Sequence, residues 1–244
     1  MDSRSVAKYV EDAEHINMPH RLFTLIFPID SANNRVLLGM KKRGFGKDKY
    51  NGFGGKVEPA ESIESGAIRE LAEESGLLAK RVDKCGLLFF YFENDPVAME
   101  VHVYLTKEFT GHAVETEEMA PKWYPIDGLP FELMWADDSR WWPLVLKKQK
   151  FTARFWFLSD MTTITREEIV PVESLELLTK VRKSKRASVY ERPSSIHSST
   201  GTESTLNSEN NPMEVFDRLF NGDSTLFTNN PQKFTVRVTS ISRL

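Results

Sequence analysis

The sequence predicts an α+β fold or an α-β-α sandwich, in which helices cover a β-sheet. Strand-like segments outnumber helical ones within residues 19–175, and the two types do not alternate regularly as they do in a doubly wound sheet. Hydrophobic residues make up 40% of the chain and charged residues 27%, which is the balance of an ordinary globular domain. The sequence therefore predicts one folded domain with extensions at both ends.

Six strands are expected, in three pairs that each surround a turn. The segments are rich in β-branched and aromatic residues and are bounded by Asn, Asp, Pro or Ser. They are 22–29 with 36–40, 87–92 with 101–105, and 151–158 with 163–170. Helical spacing of apolar residues predicts two helices, at 62–75 and 137–149.

The first predicted helix carries three carboxylates on one face. At 100° per residue, Glu70, Glu73 and Glu74 share an arc beside the apolar arc that would face a core. Like charges repel on a helix surface, and hard divalent cations such as Mg²⁺ prefer oxygen ligands of this kind. Arg69 lies one turn from Glu73 and could orient it. A solvated acidic face is the alternative interpretation of these glutamates taken alone.

A glycine pair precedes this helix, and a further glycine follows it. Gly54 and Gly55 allow a backbone to approach a phosphate closely, and the adjacent Lys56 supplies a positive charge. Gly76 stands where a helix commonly ends in a left-handed residue. The segment therefore combines a candidate phosphate loop with a candidate metal-binding helix.

The spacing over residues 55–77 is more specific than any of these features. Nine positions match the Nudix box: Gly55, Glu61, Arg69-Glu70-Leu71, Glu73-Glu74 and Gly76-Leu77. The chain closely resembles the Nudix hydrolases. That resemblance implies an α-β-α sandwich with a mixed β-sheet. It also implies hydrolysis of a nucleoside diphosphate linked to another group, dependent on Mg²⁺ with Mn²⁺ as a substitute.

Further segments resemble one subfamily, the animal-type MutT homologues that hydrolyse oxidised purine nucleoside triphosphates. They are 21–25, 37–46, 51–57, 117–119 and 134–139, and the resemblance covers about residues 20–175. It implies conversion of 8-oxo-dGTP and 2-hydroxy-dATP to the monophosphate and pyrophosphate, which removes mutagenic nucleotides from the pool. It does not extend to the first 18 residues or to the tail.

The expected substrate site has an apolar slot and a few polar groups that read a purine edge. Trp135, Phe45 and Phe90 could form the slot, and Asn51 could pair with the base edge. Asp137 and Asp138 are adjacent, so one of them should have a raised pKa in a dry pocket, although they could instead cap a helix. The full expected set is Thr24, Lys41, Phe45, Asn51, Phe53, Gly54, Gly55, Lys56, Phe90, Trp135, Asp137 and Asp138.

The resemblance also implies a metal site and a catalytic group. The expected metal ligands are the Gly54 carbonyl, Glu70, Glu73, Glu74 and Glu118, with Arg69 as the orienting residue. Glu74 is the favoured general base, with Glu70 as its rival. Lys56 is expected to contact phosphate oxygens.

Two departures from the subfamily affect the expected substrate preference. Tyr50 stands where those enzymes usually have Trp, and Tyr91 where they have an acid. The alternatives are another nucleotide substrate, such as a dinucleoside polyphosphate, a nucleotide sugar, or a methylated or capped purine. A non-catalytic binding module that acts through its tail is a further alternative, but it should show a broken box.

The chain ends carry separate expectations. Residues 1–18 are expected to be a flexible extension without a targeting signal, and 176–244 a mostly disordered tail with a short amphipathic segment at 213–220. The tail's partner is unknown. The terminal Ser242-Arg243-Leu244 resembles a peroxisomal address, with the cytoplasm as the expected location and the nucleus as an alternative.

Overall composition limits the expected partners. The formal charge of −3 provides no overall basic field for nucleic acid, and no apolar run approaches the roughly 20 residues of a membrane span. The single Cys85 excludes an internal disulfide. We therefore expect neither nucleic-acid nor membrane binding. The expected partner, from the resemblance, is a small nucleotide, and the expected state is a monomer.

Overall fold

The computed structural model describes residues 18–175. The predictions for the N-terminal extension up to residue 17, the tail from 176, the segment at 213–220 and Ser242-Arg243-Leu244 lie outside the described residues. Within residues 18–175, each helix is too short and too polar to cross a membrane.

Within these residues the chain forms eight strands and two α-helices. In chain order they are β1 (His20–Asp30), β2 (Arg35–Lys41), β3 (Tyr50–Asn51), α1 (Ile63–Ser75), β4 (Leu78–Phe92), β5 (Ala98–Thr110), β6 (Met119–Pro125), α2 (Asp138–Leu146), β7 (Lys150–Phe157) and β8 (Ile164–Val172). A 3₁₀ turn at Phe131–Leu133 precedes α2. The strands pair in the order β3-β2-β1-β5-β4-β7-β8, and β6 also pairs with β2.

The sheet is mixed. β1 runs parallel to β5 and β4 parallel to β7, whereas the other pairs are antiparallel. The sheet separates the two helices because alternate residues of a strand point to opposite faces. On β1, Phe23, Leu25 and Phe27 join the core that contains Trp141 and Trp142 of α2. Ile26 instead joins the core that contains Leu71 of α1. The predicted α-β-α sandwich is confirmed.

A split in the sheet opens the cleft in which the candidate site lies. β1 and β2 pair at Ile29–Val36 and Asp30–Arg35, and the two strands then diverge. Residues 53–56 pair with β1 where β2 has left it: Ile26 and Phe53 exchange backbone hydrogen bonds of 2.7 and 2.9 Å, and the Thr24 N–H donates to the Gly55 carbonyl at 2.9 Å. The glycine pair therefore lies against the middle of β1.

The strands differ from the predicted ones most clearly at β4 and β6; in addition, the two-residue β3 was not predicted, and β5 extends beyond 101–105 at both ends. β4 begins at Leu78 rather than at 87, and its first half is polar and irregular, with register shifts around Arg81 and Asp83. Such a segment shows no alternation to detect. β6 was not predicted because it contains Pro121 and Pro125, residues that argue against a central strand. It lies at an edge of the sheet, where proline is tolerated.

Candidate active site

Helix α1 is fixed at both ends and along its buried side. The Ser62 hydroxyl accepts from the Ser65 N–H at 3.0 Å as an N-cap. At the other end Gly76 is left-handed, with φ 74°, and its N–H donates to the Ala72 carbonyl at 2.9 Å. Since Leu71 is fully buried, the rotation of the helix is set. That rotation decides which glutamates point towards the cleft.

Arg69 joins the helix to the loop before it. Its guanidinium lies 2.8 Å from Glu61 Oε1, 2.9 Å from Glu70 Oε1 and 3.0 Å from Glu73 Oε2. It also donates to the Lys56 carbonyl at 3.2 Å. The hydrogen bond from Arg69 lowers the pKa of Glu61. One cation thus positions three box carboxylates, and Glu61 is the partner that the site prediction omitted.

Glu74 is buried and Glu70 is half-buried where the glycine pair packs against α1. Glu74 is only 4% exposed, and its Oε2 accepts from the Gly54 N–H at 2.8 Å. Burial raises the pKa of Glu74 to about 8. Burial also raises the pKa of Glu70, while the hydrogen bond from Arg69 opposes that rise. Both carboxylates are therefore desolvated and in need of positive charge.

The two glycines are required by close packing on either side. A Cβ on Gly54 would lie 2.0 Å from the Thr24 carbonyl oxygen, and one on Gly55 would lie 2.4 Å from Glu70 Oε1. The backbone can pass between β1 and the helix carboxylates because it carries no side chain there.

The expected metal ligands are only partly assembled. The Glu73 side chain is 59% exposed and contacts Arg69. Glu118 pairs with Arg43 at 2.5 Å. Burial is the main cause of the raised pKa of Glu74, and the negative charge of Glu118 adds to it. Within the described part of the chain, no three acidic, His or Cys side chains converge on one point. Even so, the carboxylates of Glu70, Glu74 and Glu118 supply the oxygen donors that a divalent cation prefers. A cation would also relieve the repulsion that raises the pKa of Glu74.

A cleft of about 890 Å³, counted together with its open mouth, is lined both by the glycine pair and by Asp137 and Asp138. Its lining includes ten of the twelve expected substrate residues: Thr24, Lys41, Phe45, Asn51, Gly54, Gly55, Phe90, Trp135, Asp137 and Asp138. The structure thus brings together residues from distant parts of the sequence.

Two expected substrate residues lie elsewhere. Phe53 is fully buried on the α1 side of the sheet, in the core with Ile26 and Leu71. It pairs with Ile26, which points to the same side, so the prediction that Phe53 contacts substrate is corrected. The Lys56 side chain lies outside the lining of the cleft, and its carbonyl is engaged by Arg69.

The aspartate pair is almost completely removed from water. Asp137 Oδ2 accepts from Trp141 Nε1 at 3.0 Å, and Asp138 Oδ2 accepts from the Trp135 N–H at 2.9 Å. These bonds go to an indole and to the preceding loop, not to the first turn of α2 as helix capping would require. Burial raises the pKa of Asp137 to about 6. Burial and the charge of Asp137 raise the pKa of Asp138 well above its ordinary value.

Trp135 forms one wall of the cleft against the loop at 42–49. Its ring lies 4.8 Å from the Phe45 ring and 5.3 Å from Lys49 Nζ. A Cβ on Gly46 would meet the same indole at 2.6 Å, so the loop and the ring are in close contact. The position of the wall therefore depends on residues of this loop.

Sequence reasoning missed several lining residues. Phe92 lies two residues beyond Phe90 on the same face of β4, and the period of two could have identified it. Lys49 and Met161 lie in loops, where periodicity gives no signal. The other lining residues not predicted are Phe23, Leu25, Gly46, Gly52, Leu88, Met99, Val101, Met119 and Phe157.

The two subfamily departures do not line the cleft. Tyr91 faces the opposite side of β4 from Phe90 and stacks on Trp156 at 5.1 Å. Tyr50 packs edge-on against Tyr124, also at 5.1 Å. The structure therefore gives Tyr91 no direct contact with the cleft, and Tyr50 is only the sequence neighbour of the lining residue Asn51.

Comparison with known families agrees with this geometry. A family model described as the NUDIX domain matches residues 19–145, more than half of the 244-residue chain. The chain therefore belongs to the Nudix family and is a Nudix hydrolase, an enzyme acting on phosphoanhydrides. Nudix hydrolases generally use a divalent metal ion.

Particular relatives narrow the comparison. The chain is 47% identical over 154 residues to the oxidized purine nucleoside triphosphate hydrolase of Mus musculus, covering 63% of this chain and 97% of that protein. It is also 47% identical over 155 residues to the Danio rerio protein of the same name, covering 64% and 97%. A mutator MutT protein from Bacillus halodurans shares the fold, with a TM-score of 0.54 and 22% identity over 61% of this chain and 97% of that one.

Proposed function

We propose that this protein hydrolyses oxidised purine nucleoside triphosphates to the monophosphate and pyrophosphate, and thereby keeps mutagenic nucleotides out of DNA. The buried Asp137–Asp138 pair carries the proposal, because it lines the same cleft as Gly54 and Gly55, the glycines that pack against Glu74 and Glu70 of the Nudix helix. Two relatives that are 47% identical carry the name of this activity.

The base end of the cleft suits a purine with an altered hydrogen-bonding edge. Trp135 and Phe90 offer flat apolar surfaces, and the Asn51 amide is oriented by a bond of 2.8 Å from the Gly52 N–H to its Oδ1. A protonated aspartate donates a hydrogen bond where an ionised one accepts. The pair could thus read oxidised guanine in one protonation state and oxidised adenine in another.

The phosphate end suits Mg²⁺. We assign the buried Glu74 and the half-buried Glu70 as ligands, with Glu73, Glu118 and the Gly54 carbonyl as the remaining candidates. The bound ion supplies charge neutralisation and an acidified water at this end of the cleft. Mn²⁺ is the expected substitute because it accepts the same oxygen donors.

The chain's own groups position the reacting atoms. Water attacks phosphorus, the bond to the leaving pyrophosphate breaks, and a carboxylate takes the proton released by the water. We favour Glu74 for this role because Glu70 is engaged by Arg69 at 2.9 Å. Lys41 lines the cleft and lies within electrostatic reach of both glutamates, so it is placed to contact the phosphate oxygens.

The test is pyrophosphate release with Mg²⁺ from a panel of 8-oxo-dGTP, 2-hydroxy-dATP, dGTP, ADP-ribose and diadenosine tetraphosphate. We expect kcat/KM for an oxidised purine to exceed that for dGTP by at least about tenfold, the discrimination of one well-placed hydrogen bond. Turnover restricted to the dinucleotide or to ADP-ribose would overturn the substrate assignment while retaining the glutamate helix. A lack of turnover on every compound would favour a binding module.

A further inference from the structure

Two lysines of one hairpin, Lys41 and Lys49, line the cleft. The strand ends are tied together because the Lys41 N–H donates to the Lys49 carbonyl at 3.0 Å and the Asp48 N–H to the Lys41 carbonyl at 2.8 Å. The charge of Lys41 favours the ionised form of Glu74 and, after the larger effect of Arg69, that of Glu70. In the same way, the charge of Lys49 favours the ionised forms of Asp137 and Asp138.

Lys49 has three contacts with the base end of the cleft. Its Nζ donates to the Met134 carbonyl at 3.1 Å and lies 5.3 Å from the centre of the Trp135 ring. The side chain also lines the cleft together with Asp137 and Asp138. A single ammonium group therefore contacts the backbone before Trp135 and the face of the Trp135 ring. Its charge also acts on the two carboxylates that follow.

The groups that face the aspartates can be enumerated. Trp141 Nε1 donates to Asp137, the Trp135 N–H donates to Asp138, and the two carboxylates repel each other. Burial is the main cause that raises the pKa of both, and the charge of Lys49 acts against it for both. Lys49 is thus the cation among these neighbours.

We infer that Lys49 is a specificity-determining residue for the base, because its ammonium group both positions the Trp135 wall and balances the charge of the Asp137–Asp138 pair. This inference rests on the proposed function, since it assumes that the pair reads the base. It assigns to Lys49 a positioning role that acts through Trp135 and the aspartates, separate from the role of Lys41 at the phosphates.

The consequence for discrimination has a definite sign. Without the positive charge, the aspartates keep their protons to a higher pH. The pair then donates a hydrogen bond over a range of pH where the intact protein offers an acceptor. If two bases need different protonation states of the pair, the pH at which the enzyme's preference changes from one base to the other therefore rises.

The experiment compares Lys49→Gln, Lys49→Met and Lys49→Arg with the intact protein, on 8-oxo-dGTP and 2-hydroxy-dATP from pH 6 to 9. For Gln and Met we expect KM to rise about tenfold while kcat changes less than about twofold. We also expect the curve of the kcat/KM ratio against pH to move to higher pH, because the aspartates lose a nearby positive charge. Lys49→Arg should restore the original curve because it retains the charge.

Lys47→Gln is the matched control. Lys47 belongs to the same loop, is exposed and lies outside the cleft lining, so its loss should leave both KM and the pH curve unchanged. Ratio curves for Gln and Met that superimpose on the original would overturn the inference. So would a fall in kcat at constant KM, since that result would place Lys49 at the phosphates.

A second measurement separates this inference from the proposed function. NMR titration of the Asp137 and Asp138 side-chain carbons in the substrate-free protein should show both transitions at higher pH in Lys49→Gln. If the intact protein fails to discriminate oxidised purines, the proposed function fails, but the titration still decides whether Lys49 sets the charge of the pair. Unchanged transitions would refute that role.

Discussion

Glu73 and Glu74 are neighbours in the chain but lie in contrasting surroundings. The Glu73 side chain is 59% exposed and pairs with Arg69, whereas Glu74 is 4% exposed and accepts from the Gly54 N–H. Successive helix residues point about 100° apart, so one faces solvent while the other faces the glycine pair. Their substitutions should therefore differ in effect.

Glu74→Gln should abolish most of the activity while leaving the fold intact. The amide retains the shape of the side chain and an acceptor for the Gly54 N–H but removes the negative charge. We expect kcat to fall about 10²–10³-fold, as for other electrostatic catalytic groups, and by more than in Glu70→Gln. Steady-state kinetics with Mg²⁺ measures this difference.

Glu64→Gln serves as the control for that change. Glu64 lies in the first turn of the same helix and is exposed, so the rate should stay unchanged. A Glu74→Gln protein that retains the full rate would remove Glu74 from the chemistry and leave Glu70 as the candidate base.

Asp138 should make the stability of the protein depend on pH. Its pKa in the fold is raised by burial and by Asp137, so its contribution to stability is complete below its unfolded value of about 3.9 and is lost as pH rises through the folded value. Asp138→Asn removes that loss and retains an oxygen for the Trp135 N–H. The free energy of unfolding of Asp138→Asn, relative to the original protein, should therefore increase as pH rises.

Urea unfolding of the metal-free protein from pH 4.5 to 8 tests this expectation. Asp127→Asn is the control, because Asp127 is exposed and lies outside the cleft lining. A difference between Asp138→Asn and the original protein that stays constant over this range would show that Asp138 ionises normally in the fold.

At the scale of elements, α1 depends on its first and last residues as well as on its buried side. Ser62→Ala removes the hydroxyl that accepts from the Ser65 N–H. We expect the free energy of unfolding to fall by about 1 kcal/mol, the usual cost of losing an N-cap, with kcat changed less than about twofold.

Ser65→Ala is the matched change in the same turn. It removes a hydroxyl that contacts Ser62 at 2.7 Å but leaves the backbone donor and the cap in place. Chemical denaturation of both variants measures the cap alone. Equal losses in the two proteins would show that the hydroxyl pair, and not the cap, stabilises the helix.

The same helix shows what can be predicted at this scale. A cap residue, an apolar period and a terminal glycine are local signals, and 62–75 agrees with Ile63–Ser75 to one residue. β6 and the first half of β4 could not be predicted. β6 contains two prolines that its edge position tolerates, and the irregular half of β4 is held by pairing with β5.

At the scale of the whole molecule, the cleft exists because β1 and β2 pair only near their shared turn and then separate. Residues 53–56 take the vacated place beside β1, which brings Gly54 and Gly55 to the carboxylates of α1. The spacing of the Nudix box identified these glycines and carboxylates, because they lie close together in the sequence. The splay of the strands depends on contacts between distant segments, so the sequence could not locate Met161 or Lys49 at the cleft.

The alternation along β1 has a consequence for how the gene can change length. Phe23 and Leu25 line the cleft, while Ile26 faces the core beneath α1. Inserting or deleting one codon within β1 would exchange these two sets, because a shift of one residue turns every later side chain to the other face. The same event in the exposed turn at 31–34 leaves both sets in place. Among related genes, insertions and deletions of single codons should therefore occur at that turn and be absent from β1.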